Sequence, residues 1–373
     1  VDVNVKIKSI LRIRAFYLFF IISSIQLGVG IMGAPALIFI EARQDSWISI
    51  IIAAIYIVIV LFVMLLILKQ YENADILGIQ VDIFGTVLGK LLGTVYIIYF
   101  AATLLSVLIT YIEVVKVFIF PELNNFVMGL LLICLIVYSV LGGLRVIVGV
   151  CFLFFILSHW VLLLLIQPAL QIDLTHLQPA FQASFVELLQ GARSTSYTFL
   201  GFEILFMVYP FIQNKEKAKT PIFMASLWSA ALVLVTTVIA IGFFSHEQLE
   251  RREWSVLALF KIQSLPFIER FDYIVVAEWM MITVPNMILL MWGVTYGMKR
   301  LYKLPQKISL YIVAILLLIA CSFMGQHFQI QKVTDTVANL GFWIVYVYPF
   351  LLLPLVLFKK RWMKRKERET DAN

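Results

Sequence analysis

Apolar residues fall into ten runs along the chain, roughly 15–40, 47–68, 91–118, 126–140, 146–167, 185–212, 221–244, 272–298, 307–325 and 338–358. Most reach the about 20 residues that a helix needs to cross a hydrocarbon core. The pattern therefore predicts ten membrane-spanning helices, the fourth short and the third and sixth interrupted by charge. Of the connectors, Asp75–Gly85 is amphipathic and is expected to lie along the membrane interface. Residues 167–183, with two prolines and His176, and the longer 245–271 read as solvated loops large enough to cover a binding site. Gly85, Gly89 and Gly93 recur every four residues at the start of the third run, the spacing of a smooth face for close helix packing.

Composition agrees with the pattern. The chain is 62% hydrophobic and 14% charged with a mean hydropathy of +0.98, against about 25% charged in soluble proteins. Its net charge of +7 does not point to nucleic acid, because the basic residues crowd into short segments between and beyond the apolar runs. Lys6, Lys8, Arg12 and Arg14, then Lys69, Lys90, Arg145, Lys215, Lys217, Lys219, Lys299, Arg300, Lys303 and Lys307 fall on one side if the N-terminus is cytoplasmic. The reading is a single transmembrane domain over 1–358 with both termini cytoplasmic, then a basic tail over 359–373 that begins Lys359-Lys360-Arg361 and faces anionic lipid. Cys134, Cys151 and Cys321 lie in apolar runs without CxxC spacing and are expected in the core. The first run is too long for a cleavable signal. The chain has no HExxH, GxxxxGK[ST] or GxSxG and no acidic cluster with metal spacing, so no enzyme, cofactor or metal is expected.

Gly28-Val29-Gly30-Ile31-Met32-Gly33 spells the GxGxxG of dinucleotide sites, but in the wrong setting. Such a site needs a preceding strand and an acidic residue about 20 positions on, where this chain has Ala53 and Ala54 inside bilayer-length apolar sequence. The glycines instead interrupt helix one. Ten spans divide into two five-helix repeats, about 15–167 and 185–358. An odd-numbered repeat re-enters the membrane from the opposite side and is inverted. Helix six, the counterpart of helix one, is also interrupted: Thr198-Phe199-Leu200-Gly201-Phe202-Glu203 places glycine and a carboxylate in mid-span. Paired broken helices are the sequence sign of a transporter-type site. The N–H groups they free suit a carboxylate and the carbonyls suit an ammonium, and an α-amino acid carries both.

The expected ligand site is Gly28, Val29, Gly30 and Ile31 with Phe199, Leu200, Gly201 and Glu203. Glu203 would meet a ligand ammonium, water or an ion, or lock the unwound backbone. Helix three should pass beside the breaks, making Tyr99 and Thr103 pocket walls. Thr283 and Asn286, flanking Pro285, either complete a cation or ligand site with helix one or back-bond near a kink. Tyr96 and Phe342 are candidate aromatic gates. His159, the sole ionisable group within helix five, reads as a hydrogen-bonded core histidine ahead of a proton relay. Glu113 and Lys116 are spaced to pair with each other. Arg193 and Glu187 are gate or interfacial residues of helix six, and Glu278 has no assigned partner.

Gly28 to Pro35 resembles the first-helix motif of the amino acid–polyamine–organocation superfamily, and Phe199-Leu200-Gly201-Phe202-Glu203 is similar to its sixth-helix break. Gln26 to Gly30 followed by Ala42-Arg43-Gln44-Asp45-Ser46-Trp47 resembles the B subunits of bacterial spore germinant receptors, over the whole chain in length and helix count. The resemblance implies an all-α polytopic membrane protein, a 5+5 inverted repeat with broken helices one and six. It further implies a subunit that senses a small nutrient, an amino acid first, beside an A-type subunit and a C-type lipoprotein in the spore inner membrane. The alternative is an amino acid permease, proton- or cation-coupled and acting alone; a scaffold with a vestigial pocket is a third reading. Proton-coupled relatives can carry a lysine on helix five, and this chain has none between Arg145 and Gln171.

Overall fold

The computed structural model describes residues 2–261 and 271–371, so part of the predicted 245–271 connector (262–270) lies outside the described residues. Each of the ten apolar runs is helical. Helix one comprises Leu18–Gln26 and Gly30–Ala42, helix two Ser46–Lys69, helix three the run ending at Phe118, helix four Asn125–Leu141 and helix five Gly143–Leu170. Helix six comprises Phe185–Thr198 and Phe202–Phe211; helix seven is Lys219–Phe243, helix eight Phe271–Tyr302, helix nine Gln306–Phe323 and helix ten His327–Asp371. Seven helices among the described residues are long and apolar enough to cross a bilayer by themselves, Gly30–Lys69 counting as one. The shorter apolar pieces belong to the broken helices one and six and to helix four. β-Structure among the described residues is confined to isolated bridges, Asn4 with Ala74 and Ile13 with Ile212.

The packing follows the repeat. Helices one and two pack with helices six and seven, helices three and four with eight and nine, and helices five and ten flank these groups. Within each group the partners are five helices apart, as an inverted 5+5 repeat requires. Basic connectors gather on one face. There Arg300 donates to the Asp2 carbonyl (2.8 Å), Arg145 to the Arg12 carbonyl (3.2 Å), Lys359 pairs with Asp82 (3.0 Å) and Lys215 reaches the Glu72 carbonyl.

Several expectations are corrected. Helix three does not start near 91. The continuous element Ile76–Phe118 turns at Gly85, whose φ of 81° favours glycine. The turn folds 76–84 back, so a Cβ at Gly89 would come within 2.6 Å of Val81 Cα. The amphipathic stretch is thus tucked under the bundle, with Ile76, Leu77 and Ile79 fully buried. Buried Asp75 caps it by accepting from Gly78 N–H (2.8 Å) and also takes Tyr296 Oη (2.7 Å) and Arg300 Nε (2.7 Å). Glu113 and Lys116 do not pair: His327 and Asn125, on neighbouring helices, lie nearer, at 2.8 and 3.0 Å. Glu278 accepts from Trp160 Nε1 (3.3 Å). Cys151 and Cys321 are buried, whereas Cys134 is exposed on the helix-four surface.

Candidate functional site

Helix one ends its first half at Gln26, and Leu27 leaves helical geometry with ψ 46°. The glycines that follow sit where neighbouring helices approach closely. A Cβ at Gly28 would lie 2.7 Å from Asn286 Nδ2 of helix eight, and one at Gly30 3.1 Å from Thr198 Cα of helix six. Helix six stops at Thr198, and Gly201 adopts φ 116°, a conformation L-residues rarely hold. There a Cβ would meet Ile25 Cγ1 at 2.7 Å and the Ile25 carbonyl at 3.0 Å. The two breaks therefore meet at one carbonyl. Asn286 Nδ2 donates to that oxygen at 2.7 Å, and Gly201 N–H donates to Glu203 Oε2 at 2.8 Å.

Polar atoms around this point are buried without partners: Glu203 Oε1, Asn286 Oδ1, Gln26 Oε1 and Tyr99 Oη have none among the described residues. Leaving such groups unmade costs about 1–3 kcal/mol each, so they mark a place where apolar packing was not maximised. Tyr96, Tyr99 and Tyr346 lie within electrostatic reach of Glu203. Tyr99 lies beside its carboxylate but outside hydrogen-bond geometry.

The expected residues divide by where the structure places them. Gly28, Gly201, Glu203, Asn286 and Tyr99 come together at the breaks, with Phe199 fully buried beside them and Val29 half-buried. Leu200 packs on Gly341 of helix ten, and Phe342 lies tilted against Tyr346 (5.7 Å) under the Arg193 guanidinium (5.2 Å). The Thr103 and Thr283 hydroxyls back-bond to the Tyr99 carbonyl (2.8 Å) and the Trp279 carbonyl (3.2 Å). Tyr96 Oη donates to the Ile344 carbonyl at 3.4 Å. Ile31 and His159 face a separate apolar cavity of about 60 Å³ between helices one, five, seven and eight, smaller than the ~150 Å³ void that admits benzene. Both His159 nitrogens are engaged, one with the Phe155 carbonyl and the other accepting from Trp228 Nε1 (3.2 Å).

Two features were not anticipated from the sequence. Helix ten widens to a π-turn over Phe342–Val347, a distortion common near functional sites. Tyr346 Oη there donates to the Ser196 carbonyl at the end of the first half of helix six (2.7 Å), and Tyr56 Oη of helix two donates to the Tyr346 carbonyl (2.9 Å). The second feature is the work of Arg43-Gln44-Asp45-Ser46-Trp47 at the face opposite the basic connectors. Asp45, 2% exposed, accepts three successive backbone N–H groups, from Phe181 (2.6 Å), Gln182 (2.7 Å) and Ala183 (2.9 Å). Gln44 contacts His246 (3.0 Å), Arg43 pairs with Glu250, and Trp47 packs edge-on to Phe181. The short helices His246–Glu250 and Ser255–Phe260 are thereby held across the second half of helix one, where a Cβ at Gly33 would strike the Glu253 carbonyl at 2.8 Å. The Glu253 side chain lies 3.7 Å from His327, which also bonds Glu113. Burial pushes the Glu253 carboxyl pKa up against the pull of His327, and Glu113 adds to the rise. The motif's pattern marked the chain's kinship, but its role as a loop anchor depends on segments about 135 and 200 residues away.

Ten helices among the described residues, with paired breaks at a sealed polar centre, define a transporter-fold membrane protein, and similar solved structures are of that class. A Na⁺-coupled sialic acid symporter in a substrate-bound outward-open state superposes with TM-score 0.61 at 10% identity, over 94% of this chain and 77% of that one. MHP1, a nucleobase-cation-symport-1 family transporter in a closed conformation with bromovinylhydantoin bound, gives TM-score 0.56 at 13% identity, over 91% and 78%. A family model described as "Spore germination protein" matches residues 12–330, and the chain belongs to this spore germination permease family. It is 31% identical to spore germination protein GerQB of Bacillus cereus over 90% of this chain and 93% of the relative. It is 22% identical to spore germination protein A2 of Bacillus subtilis (strain 168), over 94% and 97%.

Proposed function

We propose that the chain is the nutrient-sensing membrane subunit of a spore germination receptor and binds a small amino-acid-like ligand between interrupted helices one and six. One observation carries this reading: the Ile25 carbonyl, Gly201, Asn286 and Glu203 meet at one buried point where carboxylate and amide oxygens lack partners. A ligand ammonium fits the Ile25 carbonyl and Glu203 Oε1. A ligand carboxylate fits the free N–H groups that open the Gly30–Ala42 half of helix one. The centre is closed, so entry requires the 245–261 segment and the half-helices to part, and the ligand's preference for one arrangement is the signal. A-type and C-type receptor subunits read that shift in the spore inner membrane, with the basic face cytoplasmic.

Calorimetry of the purified chain with a panel of L-amino acids tests the site. Glu203→Gln keeps an oxygen for the Gly201 N–H but loses the charge. It is expected to weaken binding by on the order of tenfold to a hundredfold, the worth of a charge-assisted hydrogen bond. Unchanged affinity removes Glu203 from the site. Saturable accumulation of the ligand by this chain alone in proteoliposomes would make it a permease instead.

A further inference from the structure

On the face of the basic connectors, the bridge between Ile13 and Ile212 brings two distant parts of the chain side by side. Ile13 N–H donates to the Phe211 carbonyl and Gln213 N–H to the Ile13 carbonyl, both at 2.9 Å. Arg14, just before helix one, and Lys217, just before helix seven, therefore stand on one lip. Both are exposed, and neither has an ion-pair partner among the described residues. Below them opens a groove of about 640 Å³ floored by Phe16, Phe19, Phe20 and Phe155, with Thr220 and Met224 on its helix-seven side. Phe19 and Phe20 meet Phe155 edge-on at 5.4 and 5.2 Å, and Phe16 is 60% exposed.

Charge and depth select the occupant. The cations stand at the ends of membrane-spanning helices, the level of lipid headgroups, while the aromatic floor runs along the helices at the level of acyl chains. A soluble anion would use the lip and leave the floor bare. A zwitterionic lipid would cover the floor but bring its own cation to the lip. We infer that this groove binds an anionic phospholipid, its phosphate between Arg14 and Lys217 and a chain against Phe16, Phe19 and Phe20. Phe155 also walls the inner cavity that Leu27 and Ile31 line. The lipid chain thus bears on the packing beside the helix-one break, independently of which ligand, if any, the centre takes.

The test uses the full chain in neutral detergent, with bound lipid counted by native mass spectrometry and stability followed by thermal unfolding. Phosphatidylglycerol is expected to bind on the order of tenfold more tightly than phosphatidylcholine, as two cations at a lipid surface allow, and to raise the unfolding midpoint. Arg14→Gln with Lys217→Gln, and Lys217→Gln alone, should lose most of that preference. Lys6→Gln with Lys8→Gln, basic residues away from the groove, should keep it. Phe16→Ala should weaken both lipids while leaving the preference. No preference in the native chain, a preference that survives the double substitution, or equal stabilisation by inorganic phosphate each overturns the assignment.

Discussion

The two helix breaks look alike in sequence but are held by different means. At helix one the exposed carbonyl of Ile25 is satisfied by Asn286, a side chain from helix eight. At helix six the freed Gly201 N–H is satisfied two residues away by Glu203 of the same segment, and Gly201 itself is fixed at φ 116°. The first break depends on a partner in the opposing group of helices, so it can be released by anything that competes for that carbonyl. The second carries its own lock and persists however the groups move. Unwound backbone in a membrane is tolerated only where something satisfies it, and here the source of satisfaction separates a movable joint from a fixed one.

Breaking the fixed joint should cost most. Gly201→Ala forces a side chain into a conformation worth about 1–3 kcal/mol of strain and drives its Cβ onto the Ile25 backbone. A clearly lower thermal unfolding midpoint is expected; an unshifted midpoint would mean the break rearranges freely. Next comes Asn286→Leu, which leaves the Ile25 carbonyl buried and unpaired at about 1–3 kcal/mol. Hydrogen exchange over residues 25–30 should quicken while 199–204 stays protected, and equal quickening at both breaks would dissolve the distinction. The smallest effect should be Gly28→Ala. Its Cβ meets the end of the Asn286 side chain rather than backbone, so a loss of about 1 kcal/mol is expected, the low end for overpacking. If Gly28→Ala unfolds the protein as Gly201→Ala does, helix one is not the looser joint.

The spans and both breaks were legible because bilayer length and glycine placement are local properties. What escaped depends on distant partners. Gly85 belonged to a packing series by spacing, and only its φ of 81° shows the turn that folds 76–84 under the bundle. The π-turn of helix ten has no mark of its own; Tyr346 reaches the Ser196 carbonyl 150 residues away. Helix position alone suggested Thr103 as a pocket wall, and only the structure shows its hydroxyl donating to the Tyr99 carbonyl of its own turn, as Thr283 donates to the Trp279 carbonyl. Glu113 had a well-spaced lysine but lies beside His327, which helical periodicity cannot foresee.

The short bridge between Ile13 and Ile212 has a mechanical consequence. It fastens the segment entering helix one to the segment leaving helix six by two backbone hydrogen bonds. A tilt of either half-helix at that end must carry the other with it, so what could have been two independent hinges shares a single axle.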